Sequence, residues 1–324
     1  MSGIMNNHKP KEVNAMPEIN KILVLVDGSD RSINTVRYVA RNHAFHKMHI
    51  VLFHVFNAVP ECYWDLENDT RSKKVIKQAK AWEISQQKII KNYMLQAKQL
   101  LMKSGIPADA IETKVQNRKV GIARDIIREA RNGYAAVITR RRGAGALRSI
   151  VIGSVATKLI DKIVFLPLIL VGKKAFGNKV LVGFDGSDDA MKAVDFVGAT
   201  LGNFDYTVEL LNVIRDNEID ILKRPSIVSS GLYSQTAKKN IASSFYIATK
   251  SLISSGFNPK SIATKIIDGK RSRAKTIADE ARQYDFGTIV MGRKGRSRVR
   301  DFFIGRVTNK VIHIARERTV WIIR

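Results

Sequence analysis

Two acidic turns and a glycine-bearing loop hold the candidate functional residues of this 324-residue chain. Asp27-Gly28-Ser29 ends the apolar run that starts at Ile22, and Asp185-Gly186-Ser187 ends the run that starts at Val180. Downstream of the second turn, Gly292-Arg293-Lys294-Gly295 is followed, after nine intervening residues, by Gly305. Glycines let a backbone approach phosphate oxygens with no Cβ in the way. A loop that ends at a helix N-terminus adds free N–H groups and the positive end of a dipole. A hydroxyl next to the last glycine, as Ser154 stands next to Gly153, would add one more donor. The chemistry on offer is the binding of an anion, and of phosphate in particular.

Other patterns offer less. Ser29 and Ser187 lack a base evident in the sequence, so each reads as a helix N-cap rather than a nucleophile. Asp27 serves equally as a turn acid, a role compatible with ligand binding. His43, His46 and His49 are spaced by three but straddle a helix end and a strand start, which denies them a common metal-binding face. His54 lies inside an apolar strand and reads as a satisfied core or edge histidine. Gly143-Ala144-Gly145 lacks the third glycine of a dinucleotide fingerprint, and no Walker A sequence occurs. No paired carboxylates stand out, so catalysis is not expected.

The elements that must position these residues come in two copies. Asp27 recurs as Asp185 and Val55 as Val213, both 158 positions on; Thr113 recurs as Thr264 and Ala130 as Ala281, 151 on; Gly153 recurs as Gly305, 152 on. Strands that keep register on both sides of one short deletion are the mark of a duplicated domain. In the first copy the patterns predict strands over 21–26, 49–56, 111–116, 135–138 and 165–171. Helices are expected over about Ser32 to Ala44, Lys73 to Lys103, Gly121 to Arg131 and Ile150 to Ile163. In the second copy strands fall near 179–184, 206–214, 261–267, 286–291 and 318–323. Alternation of strand and helix implies parallel pairing by right-handed crossovers. The expected fold class is therefore α/β: two tandem, open-twisted, five-stranded parallel sheets with helices on both faces. Ligands of such sheets bind at strand C-termini, where the turns and glycines gather.

Length accommodates a tail over residues 1–18 and domains over 19–173 and 177–324. Neither a signal peptide nor a membrane-spanning stretch is evident, and the single cysteine, Cys62, suits a reducing compartment, so a cytoplasmic location is expected. Fifty-five Lys and Arg against 29 Asp and Glu give a net charge of +26 and a pI near 10.2. Two explanations compete, a nucleic-acid surface and a basic bias that solvates exposed faces. The scatter of lysines along helices, with few aromatics between them, favours the second.

Glycines spaced as 292, 295 and 305 after the fourth strand, with an acid-bearing turn after the first, resemble the nucleotide-binding branch of the universal stress protein family. The resemblance spans 19–324 as a tandem pair with a Rossmann-like fold of the adenine nucleotide alpha hydrolase type. It implies ATP or another adenine nucleotide as ligand, with or without Mg²⁺, and a role as a stress-response regulatory module. Carried over, the first copy offers Asp27, Val55, Gly143, Gly153 and Ser154; the second offers Asp185, Val213, Met291, Gly292, Gly295 and Gly305. Both copies depart from the pattern. Arg140 replaces the first glycine in one and Arg306 the hydroxyl residue in the other. Either guanidinium fills the phosphate space or forks onto a phosphate. The resemblance also implies that Phe165–Val171 lies beside Thr319–Ile323 as an intrachain pseudo-dimer, with a homodimer of such chains as the next level. A non-nucleotide-binding interaction protein of the same fold is the alternative, followed by a slow nucleotidase or a nucleic-acid-binding protein.

Overall fold

The computed structural model of the chain describes residues 21–30, 32–59, 73–141, 152–173, 177–215, 230–295 and 304–324. The 1–18 tail, Cys62 and Gly143 lie outside the described residues. The first half contributes β1 (Lys21–Leu25), β2 (His49–Phe56), β3 (Ile111–Asn117), β4 (Ala136–Arg140) and β5 (Leu168–Val171). The second contributes β6 (Lys179–Gly183), β7 (Thr207–Arg215), β8 (Ile262–Lys270), β9 (Thr288–Gly292) and β10 (Thr319–Ile323). The central strands are Val, Ile and Leu runs buried on both faces, as a sheet covered by helices on each side requires.

Two separate five-stranded sheets were expected; the chain instead builds one sheet of ten strands in the order β3-β2-β1-β4-β5-β10-β9-β6-β7-β8. Pairing is parallel within each half, and the two last strands meet antiparallel, with Val320 opposite Leu170, Trp321 opposite Ile169 and Ile322 opposite Leu168. The physical reason lies in β5 and β10 themselves. Each is fully buried and wholly apolar or nearly so, and an open edge of that kind would leave a row of backbone groups without partners. Trp321 closes the seam. Its indole N–H donates to the Tyr38 hydroxyl at 3.0 Å, and its ring meets Phe45 from the first half and Phe196 from the second.

Helices α1 (Ile33–Arg41), α2 (Lys73–Lys103), α5 (Asp188–Leu201) and α6 (Ser230–Ser254) pack on one face of this sheet. Helices α3 (Ile122–Glu129), α4 (Ser154–Lys162), α7 (Arg273–Gln283) and α8 (Arg306–Ile314) pack on the other. Helix α1 stops short of the predicted Ala44 because Asn42 turns extended (φ −97°, ψ 95°) before a 3₁₀ turn at His43–Phe45. The Asn42 side chain accepts a hydrogen bond from Tyr206 of the second half at 3.0 Å.

Two arginines that no sequence pattern singled out bind the halves together. Arg141, just past β4, sends its guanidinium to the carbonyls of Ile312 and Arg318. Arg293, just past β9, sends its own to the carbonyls of Ile160 and Ile163. Each is buried, and burial pushes each guanidinium down to about 10. The carbonyls belong to the C-terminal ends of α4 and α8 and the turn after α8, where a cation also meets the negative end of a helix dipole.

Candidate functional site

In the second half the chain leaves β6 through Phe184, whose carbonyl accepts from the Asn212 side chain at 2.7 Å. Gly186 takes φ 73°, a left-handed conformation that glycine adopts without strain, and so turns the chain sharply after Asp185. The Ser187 N–H donates to Asp185 Oδ1 at 3.0 Å, and the Ser187 hydroxyl accepts from the Ala190 N–H at 3.3 Å, capping α5. That hydroxyl also lies 3.4 Å from the Lys294 carbonyl, so its bonds are structural.

The glycine loop is stitched down from both sides. The Gly305 N–H donates to the Arg293 carbonyl at 2.8 Å, and the Thr308 hydroxyl to the Gly292 carbonyl at 2.8 Å. The Lys294 N–H donates to Asp189 Oδ2 at 2.9 Å, tying the loop to the first turn of α5. Close approach explains the glycine at 292, where a Cβ would stand 2.8 Å from the Ala190 nitrogen. Gly305 is the N-cap of α8 and leaves that helix's N-terminus facing the same space.

A cavity of about 410 Å³ opens between these elements. Asp185, Val213, Met291, Gly292, Gly295 and Gly305, the six residues proposed for the second copy, all line it. Four cationic residues, Arg215, Arg273, Lys294 and Arg306, line it too, against the single acid Asp185 among the described residues. Arg273 is fixed by its Nε–H, which donates to the Val213 carbonyl at 3.0 Å. Of the four, only Arg306 was singled out beforehand. Arg273 was legible in principle, since its counterpart in the first copy is the apolar Ile122. Chemically this is a concave, cation-rich pocket with an apolar wall at Met291, Ile241 and Ile277. Among the described residues no group of three His, Cys, Asp or Glu side chains could hold a metal ion.

The first half departs from this geometry. Asp27 repeats the turn, accepting from the Ser29 N–H at 3.1 Å and its hydroxyl at 2.6 Å. Val55 is buried on β2, Gly153 caps α4 and donates to the Arg141 carbonyl at 2.7 Å, and Ser154 is the first residue of α4. Arg140, however, ends β4 where Gly292 stands in the second half, and α1 begins one turn later in its repeat than α5. The Ser29 hydroxyl accepts from the Ser32 N–H at 3.2 Å, as Ser187 does from Ala190, but Ser29 is not the N-cap residue of α1. The cap position falls on Ser32, whose hydroxyl instead reaches the Ser29 carbonyl at 2.9 Å and the Tyr93 hydroxyl at 2.5 Å. Burial pushes that Tyr93 hydroxyl up to about 12. Ile90 of α2 lies over the turn, 2.5 Å from where a Cβ on Gly28 would be. His54 is a satisfied core histidine, its Nδ1 donating to the Val26 carbonyl at 2.9 Å, and burial pulls its pKa down.

Among solved structures, a universal stress protein from Archaeoglobus fulgidus shares the fold over 95% of this chain and 99% of its own, at 18% identity and a TM-score of 0.61. A functionally unknown protein from Pseudomonas aeruginosa covers 94% of this chain and 92% of its own, at 14% identity and a TM-score of 0.53. A universal stress protein in complex with cAMP matches 45% of this chain and 96% of its own, at 18% identity and a TM-score of 0.32. No curated protein matches the sequence. The sequence model of the universal stress protein family matches twice, over residues 18–165 and 177–324. The chain belongs to the universal stress protein family and carries its domain in tandem.

Proposed function

We propose that the second half binds an adenine nucleotide, with ATP the leading candidate, and that the chain acts through this binding as a stress-linked regulatory module rather than as a catalyst. The observation that carries the reading is the single cavity lined at once by Asp185, Val213, Met291 and the glycines 292, 295 and 305. The acid at one lip and the β7 backbone suit a nucleoside. The glycine loop, the α8 N-terminus and the four cations suit its phosphates. Where Mg²⁺ accompanies the nucleotide, phosphate oxygens and the Asp185 carboxylate are the hard donors it would take.

The first half is read as not equivalent. Arg140 in place of a glycine, with Tyr93 and Ile90 over the acidic turn, leaves one nucleotide per chain as the expectation. Calorimetric titration with ATP tests both points. Saturable binding with one site per chain supports the reading, and no saturation at millimolar ATP removes it. Mass spectrometry of small molecules retained through native purification gives an independent check on the ligand.

A further inference from the structure

Helix α2 runs for 31 residues and carries eight lysines against one acid, Glu83. Between Ile76 and Ile90 it has no fully buried residue, and only Ala79, Glu83 and Gln86 are half-buried there, so most of the circumference of these turns faces outward. Ile84 (67%) is exposed there and shares one side of the helix with the exposed Leu95 and Met102 further along, whereas the exposed Trp82 and Ile89 fall on another flank. On α6 the exposed Tyr246 and Ile253 occupy the positions corresponding to Leu95 and Met102, 151 residues on. Both helices feed the same side of the sheet, Ile90 and Ala97 from α2 sharing one core with Ile241 and Ala248 from α6. The antiparallel seam between β5 and β10 thus sets two long helices at opposite ends of one broad helical face, each with apolar side chains turned outward.

We propose that this face docks on the surface of an anionic lipid bilayer. The charge decides against a second copy of the chain, since eight lysines would meet their like. The aliphatic residues decide against nucleic acid, because Ile84, Leu95 and Met102 offer neither a donor to phosphate nor a platform for a base. A bilayer with anionic headgroups takes both. Lysine stems lie along the surface with their ammonium groups at the phosphates, apolar tips enter the acyl boundary, and Tyr246 suits the interface between them. The binding is peripheral, for no helix among the described residues is long and apolar enough to cross a membrane. The lack of a spanning stretch does not bear on a helix lying flat.

Co-sedimentation of the full chain with unilamellar vesicles tests this, using phosphatidylcholine alone and phosphatidylcholine with about a third of phosphatidylglycerol. The expected result is binding to the anionic vesicles only, weakened as salt rises from about 0.1 M to about 1 M. The triple variant Ile84→Ser, Leu95→Ser, Met102→Ser keeps every lysine and changes only exposed positions. It should bind the same vesicles on the order of tenfold more weakly, with an unchanged circular dichroism spectrum. No sedimentation with anionic vesicles at low salt overturns the proposal. So does sedimentation that the triple substitution leaves untouched, which would show charge alone at work, as would equal binding to neutral vesicles.

Discussion

Gly295 lies against the carboxylate of Asp185: a Cβ at position 295 would stand 2.6 Å from Oδ2. The same carboxylate is held on its other oxygen by the Ser187 N–H, so it has little freedom to move aside. The two lips of the crevice, far apart in sequence, are thus in contact through one missing side chain.

Gly295→Val is accordingly expected to weaken ATP binding by about two orders of magnitude, through a displaced Asp185 and a narrowed phosphate space. Both residues sit at the rim of a cavity and not in the packed core, so the melting temperature should move by a few degrees at most. Calorimetry alongside a thermal scan separates the effects. Wild-type affinity in a folded variant would place the ligand elsewhere.

Arg306 opens α8 where a hydroxyl residue would stand in the family pattern, and it lines the cavity. If its guanidinium forks onto a terminal phosphate, Arg306→Ser should weaken ATP by roughly tenfold and leave AMP nearly unchanged. Competition titrations with ATP, ADP and AMP read this directly. An equal loss for all three would assign Arg306 to the nucleoside end instead.

The exchange of Arg141 and Arg293 between the halves predicts a stability effect carried at the seam by their guanidinium groups. Arg293→Met keeps much of the side-chain volume but strips the donors from the buried carbonyls of Ile160 and Ile163. Leaving both acceptors unsatisfied should lower stability by about 2–4 kcal/mol and the melting temperature by several degrees. An unchanged thermal transition would mean that the guanidinium contributes nothing net to the seam.

Part of the acid sensitivity of the fold should come from Asp125. Burial by itself would raise its pKa. The N–H groups of Lys119, Val120 and Gly121, with Arg128 nearby, outweigh burial and hold it below the usual carboxylate value. Because the folded pKa is depressed, the stability from Asp125 is present above its unfolded pKa and disappears as pH falls through the folded value. Asp125→Ala should cost about 2 kcal/mol at neutral pH and flatten the acid limb of the stability curve. Urea titrations across the acid range measure it. The repeat position in the second half is Thr276, which has no such charge to lose.

Much of the architecture was legible from residues alone. Strands are apolar runs with sharp ends, and a repeat fixes their number and order, so the ten strands and the acidic turns were open to reading. The pairing of Phe165–Val171 with Thr319–Ile323 followed from the family resemblance, and the structure pairs Leu168–Val171 with Thr319–Ile323. The second-copy residues from Asp185 to Gly305 were named by motif, and the structure gathers them round one cavity. Helix ends were less legible, because Asn42 leaves the helix for a contact with Tyr206 that local periodicity does not encode.

Local patterning alone dictates the duplicated α/β unit and the kinds of residue at its strand ends. The joining of the two sheets into one, and the separate roles of the arginines, arise from long-range packing. In Thr139-Arg140-Arg141-Arg142 the side chains look alike on paper. Their roles diverge only once the antiparallel seam brings the carbonyls of the other half within reach of Arg141, while Arg140 remains at the strand end that Gly292 occupies in the second half. Charge and size are properties of a residue, whereas partners belong to the folded chain.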